Sequence, residues 1–354
     1  MTHNFDLIEK YRASLSELEQ TVLAGREKLK NKHIETDWGP ELSRKFDSVV
    51  RSVLTMRQYS GAPDTEGRHE GRCLFVSGEA GTGKTASLER LFQTHPILQP
   101  RGEQRSPLLR VIVPAPCTLK TLGREVLRAL GYPLARELAD HIIWGRIQEL
   151  LPVAGVLIIF FDETHNLTDN ANVVQMDNIR KTFKTLMVSS WPVGLIISGL
   201  PSLIPEMRKI DEIRRRGQFV SVPLLAMPDD NEMVGGIVSG LASVVGLSIG
   251  EEAALEIAPR LVHAALRRFG IAIELIHEAI ELAMLEEKPL SIEHFATAFT
   301  DRTGCGALMN PFVAPNWAEL DCSLVLTNEP PIEPILPIDP PRRGSRTRKK
   351  GGRP

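Results

Sequence analysis

The sequence predicts an α/β protein in which a five-stranded parallel sheet lies between an N-terminal helical arm and a C-terminal α-helical lid. Three observations lead to this prediction. Between residues 66 and 226, short apolar runs alternate with amphipathic helical segments, as in a parallel sheet with crossover helices. A glycine-rich loop follows the first of these runs. From residue 227 to residue 301 the apolar residues recur only at helical spacing.

The N-terminal arm, residues 1–65, contains two predicted helices. Residues 5–31 have apolar residues at spacings of three and four, and residues 41–58 have a second apolar face. The apolar seam of the first helix would pack either on the protein's own body or on a neighbouring subunit. A polar, turn-rich loop over residues 61–71 leads into the first strand.

The core over residues 66–226 alternates strands with helices. Its strands are apolar at successive positions, which is typical of strands buried on both faces of a parallel sheet. The predicted strands are 73–76, 108–113, 156–161, 193–198 and 218–224. The predicted helices of the core are 86–92, 121–130, 136–150, 173–189 and 202–210. Those of the lid are 229–245, 251–269, 271–287 and 291–300.

Two segments follow the lid. Residues 302–328 form a C-terminal extension with several apolar residues and no clear period. Residues 329–354 begin as a proline-rich linker and end in a basic tail, because residues 342–353 include seven basic side chains and no acidic one. The net charge of the whole chain is -2, so the rest of the chain is acidic. The tail is either a tether for a partner or DNA, or a solvated terminus.

The composition argues against several classes of protein. Hydrophobic residues make up 42% of the chain, enough for a sizeable core, and aromatic residues make up 5%, too few for a broad surface that stacks on single-stranded bases. The four cysteines are far apart and outside any zinc-binding pattern, so disulfides and structural metal are not expected. No apolar signal core or bilayer-long run is visible, which favours a cytoplasmic location without membrane contact.

The glycine-rich loop has the spacing and the context of a phosphate-binding loop. It follows an apolar strand and opens onto a helix, and its glycines let the main chain approach a phosphate closely. Amide N–H groups and the positive end of the helix would then bind the phosphates of ATP. Lys84 would reach the β- and γ-phosphates, and the Thr85 hydroxyl would ligate Mg²⁺. The loop consists of Gly78, Glu79, Ala80, Gly81, Thr82, Gly83, Lys84 and Thr85.

A pair of carboxylates ends the third predicted strand. Asp162 would hold Mg²⁺ through water, and Glu163 would polarise the water that attacks ATP. Together with the phosphate-binding loop, this pair predicts ATP binding with hydrolysis. His165 and Asn166 follow directly, and either line the same pocket or have an ordinary loop role.

Two further features complete the predicted nucleotide site. Ser198 ends the fourth strand, where its hydroxyl would orient the attacking water or only cap the strand. Three arginines precede the fifth strand, and one of them would reach a phosphate across a subunit boundary, unless the cluster is a solvated turn. Arg216 is the first candidate and Arg215 the second.

In this arrangement of motifs the sequence resembles an AAA+ ATPase. Within that class, the N-terminal arm and the run Phe160-Phe161-Asp162-Glu163-Thr164-His165-Asn166-Leu167 resemble the TniB/TnsC family of transposon ATP-binding regulators. The resemblance covers roughly residues 35–300. It implies an ATP-dependent homo-oligomer, a ring or a filament, on double-stranded DNA. That oligomer would connect a target-selection protein to the transposase, and the basic tail would be a tether for transposase or DNA.

The resemblance also implies where DNA would be contacted. In this family the loop and helix after the second strand line the inner face of the assembly. Lysines and threonines suit phosphate contacts and carry no base code, so binding would be independent of sequence and sensitive to salt. Each side chain could instead be a solvated surface group. The candidates in this region are Thr118, Lys120, Thr121 and Arg124, and Lys181 and Lys184 on the helix after the third strand are further candidates.

One departure and two alternatives accompany the resemblance. AAA+ proteins often carry an arginine after a glycine early in the third lid helix, where this chain has Gly270-Ile271-Ala272-Ile273, so Arg267 or Arg268 would have to replace it. The alternatives are a replication-initiator or clamp-loader-like ATPase, and a scaffold that binds ATP without turnover. A secretion-type ATPase is disfavoured because it would be expected to carry a membrane segment.

Overall fold

The computed structural model describes residues 2–59, 72–100, 105–132, 138–169, 171–209 and 211–326. The predicted loop 61–71 and the predicted linker and tail 329–354 lie outside these residues. Within the described residues, no helix is long and apolar enough to cross a membrane.

The N-terminal arm contains three helices, α1 (Thr2–Ser14), α2 (Glu17–Asn31) and α3 (Gly39–Tyr59). The continuous helix predicted over residues 5–31 is wrong, because Ser16 interrupts it. The Ser16 hydroxyl accepts from the Glu19 amide, and the Glu19 carboxylate accepts from the Ser16 amide, which forms a capping box that starts a new helix.

The helices of the arm pack on different parts of the protein. Helix α2 buries Val22 and Leu29 and packs against helices of the lid, so this part of the predicted seam contacts the protein's own body. In α1, Ile8 and Tyr11 are exposed. Helix α3 packs on the sheet through the fully buried Phe46.

The predicted five-stranded parallel sheet is confirmed. Its strands are β1 (Cys73–Ser77), β2 (Leu108–Ile112), β3 (Ile158–Asp162), β4 (Gly194–Gly199) and β5 (Gly217–Ser221), in the order β2-β3-β4-β1-β5. Every residue of the three central strands is buried, which explains their uninterrupted apolar sequence. The edge strands β2 and β5 include exposed or half-buried positions.

Helices cover both faces of the sheet. The helices of the core are α4 (Lys84–Thr94), α5 (Leu119–Ala129), α6 (Asp140–Val153), α7 (His165–Thr168), α8 (Val173–Val188), α9 (Leu203–Arg208) and α10 (Asp211–Arg216). Helices α3 and α4 pack on one face, whereas α5, α6 and α8 pack on the other. Helix α10 was not predicted, and it places the arginine cluster in its last turn instead of in a turn before β5.

The lid contains α11 (Asn231–Val244), α12 (Glu251–Ala264), α13 (Phe269–Leu285) and α14 (Ile292–Thr303). The second predicted lid helix, 251–269, ends five residues earlier than predicted, because Leu266 and Arg267 have left-handed backbone angles. The C-terminal extension, as far as residue 326, packs on the lid through short 3-10 turns. Phe312, Cys322 and Val325 are buried in the core of the lid, and Arg260 donates to the Pro311 carbonyl at 2.8 Å. Such short turns leave no helical period in the sequence.

Candidate functional site

The phosphate-binding loop lies between β1 and α4, as its motif predicts. Two of its glycines have left-handed backbone angles, Gly81 with φ 73° and Gly83 with φ 90°, and other residues adopt these angles only with strain. Gly83 directly precedes α4 and has no side chain to cap the helix. The first amides of α4 therefore face the loop, where an anion would be stabilised.

Lys84 is held inside this loop. The side chain is buried, and its Nζ donates to the carbonyls of Gly78 and Glu79, each at 2.8 Å. Burial lowers the pKa of Lys84, and the carboxylates of Glu163 and Asp162 oppose this shift. The ammonium is thus positioned among main-chain carbonyls at the place where a phosphate would have to lie.

The two residues predicted to hold magnesium are in direct contact. The Thr85 hydroxyl donates to Asp162 Oδ2 at 2.8 Å, although the two residues are far apart in sequence. Asp162 is buried at the end of β3. A hydroxyl and a carboxylate next to a phosphate site are oxygen donors of the kind that Mg²⁺ prefers, so these residues fit the ion.

The turn after β3 holds Glu163 in an unusual backbone conformation. Glu163 has φ 54°, and its amide donates to Asp162 Oδ1 at 3.0 Å. The Thr164 amide donates to the Ser198 carbonyl at 2.9 Å, and the Asn166 side chain donates to the Val113 carbonyl at 3.0 Å. His165 Nδ1 lies 3.4 Å from Glu163 Oε2. Asn166 therefore ties the turn to the end of β2, and His165 faces the predicted base.

Ser198 lies between the two halves of the site. Strand β4 pairs with β1, and Ser198 is opposite Val76. Ser198 therefore lies beside the strand that leads into the phosphate-binding loop, as a role at the γ-phosphate requires. One more step along the β3–β4 register brings Ser198 opposite Asp162. The Ser198 hydroxyl is fully buried and makes no hydrogen bond to the described residues. A buried hydroxyl without a partner is uncommon in proteins.

The arginine cluster lies at the amino ends of the strands, opposite to the phosphate-binding loop. Gly217, which follows Arg216, pairs with Cys73 at the amino end of β1, whereas the phosphate-binding loop follows the carboxyl end of that strand. Burial raises the pKa of the Cys73 thiol to about 12, and the charge of Arg216 opposes the shift. Arg214 and Arg215 are exposed and Arg216 is half-buried. The length of β1, about 13 Å, separates the cluster from the loop of the same chain.

The lid contacts the phosphate-binding loop through the first turn of α13. The Ile271 amide donates to the Gly81 carbonyl at 3.1 Å. A Cβ added at Gly270 would lie 2.6 Å from the same carbonyl oxygen, so only glycine allows this approach. This contact joins residues that are far apart in the sequence, and neither motif predicts it.

The structure separates the two candidate lid arginines. Arg267 Nε donates to the Leu225 carbonyl at 2.6 Å, and the Arg267 carbonyl accepts from the Leu225 amide at 2.7 Å. Arg268 instead points to the loop, where its guanidinium lies 3.6 Å from the Glu79 carboxylate. Of the two candidates, Arg268 is therefore the one next to the phosphate-binding loop, whereas Arg267 bonds to the segment that leads into the lid.

The six residues predicted to contact DNA lie on two neighbouring helices, α5 and α8. Thr118 is the residue directly before α5. Thr118 caps α5 by accepting from the Thr121 amide, and the two hydroxyls are 3.0 Å apart. Lys181 forms an ion pair with Asp177 at 2.6 Å. Arg124 is exposed, and Lys120 and Lys184 are half-buried. These side chains share one side of the core.

Comparisons with known proteins support the class of fold. Residues 67–206 match the AAA domain family. Cdc6p from Pyrobaculum aerophilum is similar over 78% of this chain and 70% of its own, with 13% identity and a TM-score of 0.53. The fold is that of an AAA+ ATPase.

Two structures from Aeropyrum pernix are similar as well. ORC1, solved in complex with DNA, matches with 17% identity and a TM-score of 0.55, over 78% of this chain and 69% of its own. ORC2, solved with ADPNP and ADP, matches with 14% identity and a TM-score of 0.51, over 77% of this chain and 71% of its own. A search of curated proteins finds no match in sequence. The narrower resemblance to TniB/TnsC stays a prediction.

Proposed function

We propose that this protein is an ATPase that assembles on double-stranded DNA, with ATP bound between neighbouring subunits. The observation that carries the proposal is the placement of charged groups at opposite ends of the strands. The phosphate-binding loop, Asp162 and Glu163 lie together at the carboxyl ends, whereas the arginine cluster lies at the amino ends. A second copy of the chain would supply the charge that the site of one copy does not receive from its own cluster.

The residues of the site divide the work of ATP hydrolysis. The loop amides and Lys84 would bind the phosphates, and Thr85 and Asp162 would hold Mg²⁺, which neutralises phosphate charge. Glu163 would take a proton from water while the water oxygen bonds to the γ-phosphorus. The bond to the bridging oxygen then breaks, and ADP and phosphate form. Ser198 would orient the water.

The arginine that crosses the boundary would be Arg215 or Arg216. Exposure favours Arg215, because Arg216 is half-buried next to β1. An arginine placed in this way stabilises the charge that develops on the transferred phosphoryl group. Arg268 of the lid would contribute from the same chain, which couples the lid to the bound nucleotide.

DNA would contact the side of the core formed by α5 and α8. A few phosphate contacts in each subunit bind weakly, but their repetition in a ring or filament gives useful affinity. This accounts for DNA binding by a chain that is acidic apart from its tail.

The biological role has two candidates. Similarity to Cdc6p and to ORC1 favours a replication-initiator-like role, although identities of 13% and 17% carry only the fold. The run around Asp162 and Glu163 and the N-terminal arm favour regulation of transposition, in which the assembly would connect a target-selection protein to a transposase. An initiator would prefer defined sites, whereas a transposition regulator would coat any duplex.

Electron microscopy and ATPase assays test the proposal. The purified chain is mixed with duplexes of random and of fixed sequence, with ATP or with ADP, and steady-state ATPase is measured with Glu163→Gln as the control. We expect oligomers on DNA with ATP, fewer with ADP, and turnover that Glu163→Gln abolishes. A monomer that binds neither ATP nor duplex at low salt with magnesium would contradict the proposal. Assembly on DNA with ATP but without turnover by the unmodified chain would indicate a scaffold.

A further inference from the structure

We infer that His165 is a positioning residue, which holds the Glu163 carboxylate toward the phosphate-binding loop and so sets the rate of hydrolysis without contributing to ATP affinity. The inference rests on the proposed function, because it concerns the same reaction.

The first observation is a buried ring nitrogen. His165 Nδ1 has no hydrogen-bond partner of good geometry among the described residues, although the side chain is only 14% exposed. Buried polar atoms in proteins are nearly always hydrogen-bonded. An oxygen within reach is Glu163 Oε2 at 3.4 Å, and a small movement of that carboxylate would complete the bond to an Nδ1 that carries its proton.

The second observation is that the backbone on both sides of His165 is fixed, whereas the Glu163 side chain is not. The Thr164 amide bonds to β4, and the Asn166 side chain bonds to the end of β2. A Cβ added at Gly199 would lie 3.3 Å from the His165 amide nitrogen, so β4 packs closely on this turn. The Glu163 side chain is long and 46% exposed, so its carboxylate needs a partner to keep a single position.

The third observation is the place of Glu163. It directly follows Asp162, whose Oδ1 accepts from the Glu163 amide and whose Oδ2 accepts from the Thr85 hydroxyl of the loop. The side chain that lies beside His165 therefore starts next to the phosphate-binding loop. Glu163 is held there in a left-handed backbone conformation, with φ 54°, which a glutamate adopts only where its surroundings require it.

A residue with this role contributes through the alignment of the base. General bases act only when they are within hydrogen-bond reach of the proton that they remove. A carboxylate that occupies several positions is in reach for less of the time, which lowers kcat. ATP affinity depends on the loop amides and Lys84, which His165 does not contact.

The test compares His165→Ala, His165→Gln and, as a matched control, His141→Ala on the exposed side of α6. Steady-state ATPase gives kcat, and a fluorescent ATP analogue gives the dissociation constant. We expect His165→Ala to lower kcat about tenfold with unchanged nucleotide affinity. His165→Gln should recover part of the loss, since its amide can donate to the carboxylate, and His141→Ala should have no effect.

A double variant decides whether His165 acts through Glu163. Adding His165→Ala to Glu163→Asp, which keeps a carboxylate and residual turnover, should cause little further loss, because the two residues would act as one unit. The inference is overturned if His165→Ala keeps full kcat while Glu163→Gln loses it, or if nucleotide affinity falls in parallel with kcat. If the unmodified protein itself has no ATPase activity, the proposed hydrolysis fails first, so the two failures are distinguishable.

Discussion

The phosphate-binding loop bonds to β3 and to the lid, whereas Thr118 and Lys181 of the predicted DNA face each bond within one turn of their own helix. Thr85 reaches Asp162, and Gly81 accepts from Ile271. On the DNA face, Thr118 bonds to Thr121 and Lys181 bonds to Asp177, each within one turn. The loop is therefore held in place by both the sheet and the lid, while α5 and α8 pack into one core on a single face of the sheet.

This difference predicts two kinds of mutational effect. Changes at the loop should act on binding, stability and assembly together, because each residue serves several contacts. Changes on the predicted DNA face should be smaller and dependent on salt, because contacts between charged side chains and DNA phosphates are screened.

The largest effect is expected for Lys84→Ala. The variant loses the ammonium that would pair with the phosphates, so ATP binding and ATP-dependent assembly on DNA should both be abolished. Binding of a fluorescent nucleotide and sedimentation with duplex DNA measure the two effects. Lys181→Ala is the matched control and should keep nucleotide affinity. If Lys84→Ala still assembles on DNA with an unchanged response to ATP, the loop does not control assembly and the predicted mechanism is wrong.

A substitution in the lid should disturb the loop next most strongly. Gly270→Ala would bring a Cβ within 2.6 Å of the Gly81 carbonyl oxygen, so the lid has to move and the free energy of unfolding should fall by about 1–3 kcal/mol. Nucleotide affinity should fall as well. Gly236→Ala on α11, with no atom within 4 Å of its added Cβ, should be neutral or slightly stabilising. Thermal and chemical denaturation compare the two variants.

Variants of the two lid arginines should separate an effect on ATP binding from an effect on stability. Arg268→Ala should weaken ATP binding several-fold and leave stability nearly unchanged, since its pairing with Glu79 is partly exposed. Arg267→Ala should do the reverse, because it removes a side-chain bond to the Leu225 carbonyl. Titration with nucleotide and thermal denaturation of both variants check this. Equal effects on both measurements would show that the two arginines have one role.

The smallest effects are expected on the DNA face. Arg124→Ala and Lys184→Ala should each weaken duplex binding about threefold, and each should reduce the slope of log affinity against log salt by about one. Lys288→Ala on the lid is the control, because Lys288 pairs with Glu286 away from α5 and α8. Fluorescence anisotropy at several salt concentrations gives these slopes. Unchanged slopes in both variants would place the DNA elsewhere.

The sequence predicts those parts of the site that depend on a strand and the residues directly after it. The phosphate-binding loop, the Asp162–Glu163 pair and the end of β4 are predicted because a parallel sheet brings the carboxyl ends of its strands to one edge. The pairing of β4 with β1 confirms the required neighbourhood of Ser198. The short helix that carries the arginines was missed because residues 211–216 are too few to show a period.

Contacts between distant segments could not be predicted. The bond from Ile271 to Gly81 and the packing of α2 on the lid leave no pattern in either segment. The choice between Arg267 and Arg268 also needed the structure, since adjacent residues at a helix start differ only in the direction of their side chains.

The short connector between α2 and α3 joins a helix that packs on the lid to a helix that packs on the sheet. Ile34 packs with the lid, and Trp38, only four positions later, packs with the sheet. Any rotation of the lid on a bound nucleotide has to be absorbed by these few residues. Helix α2 would therefore move with the lid, while α3 stays with the sheet.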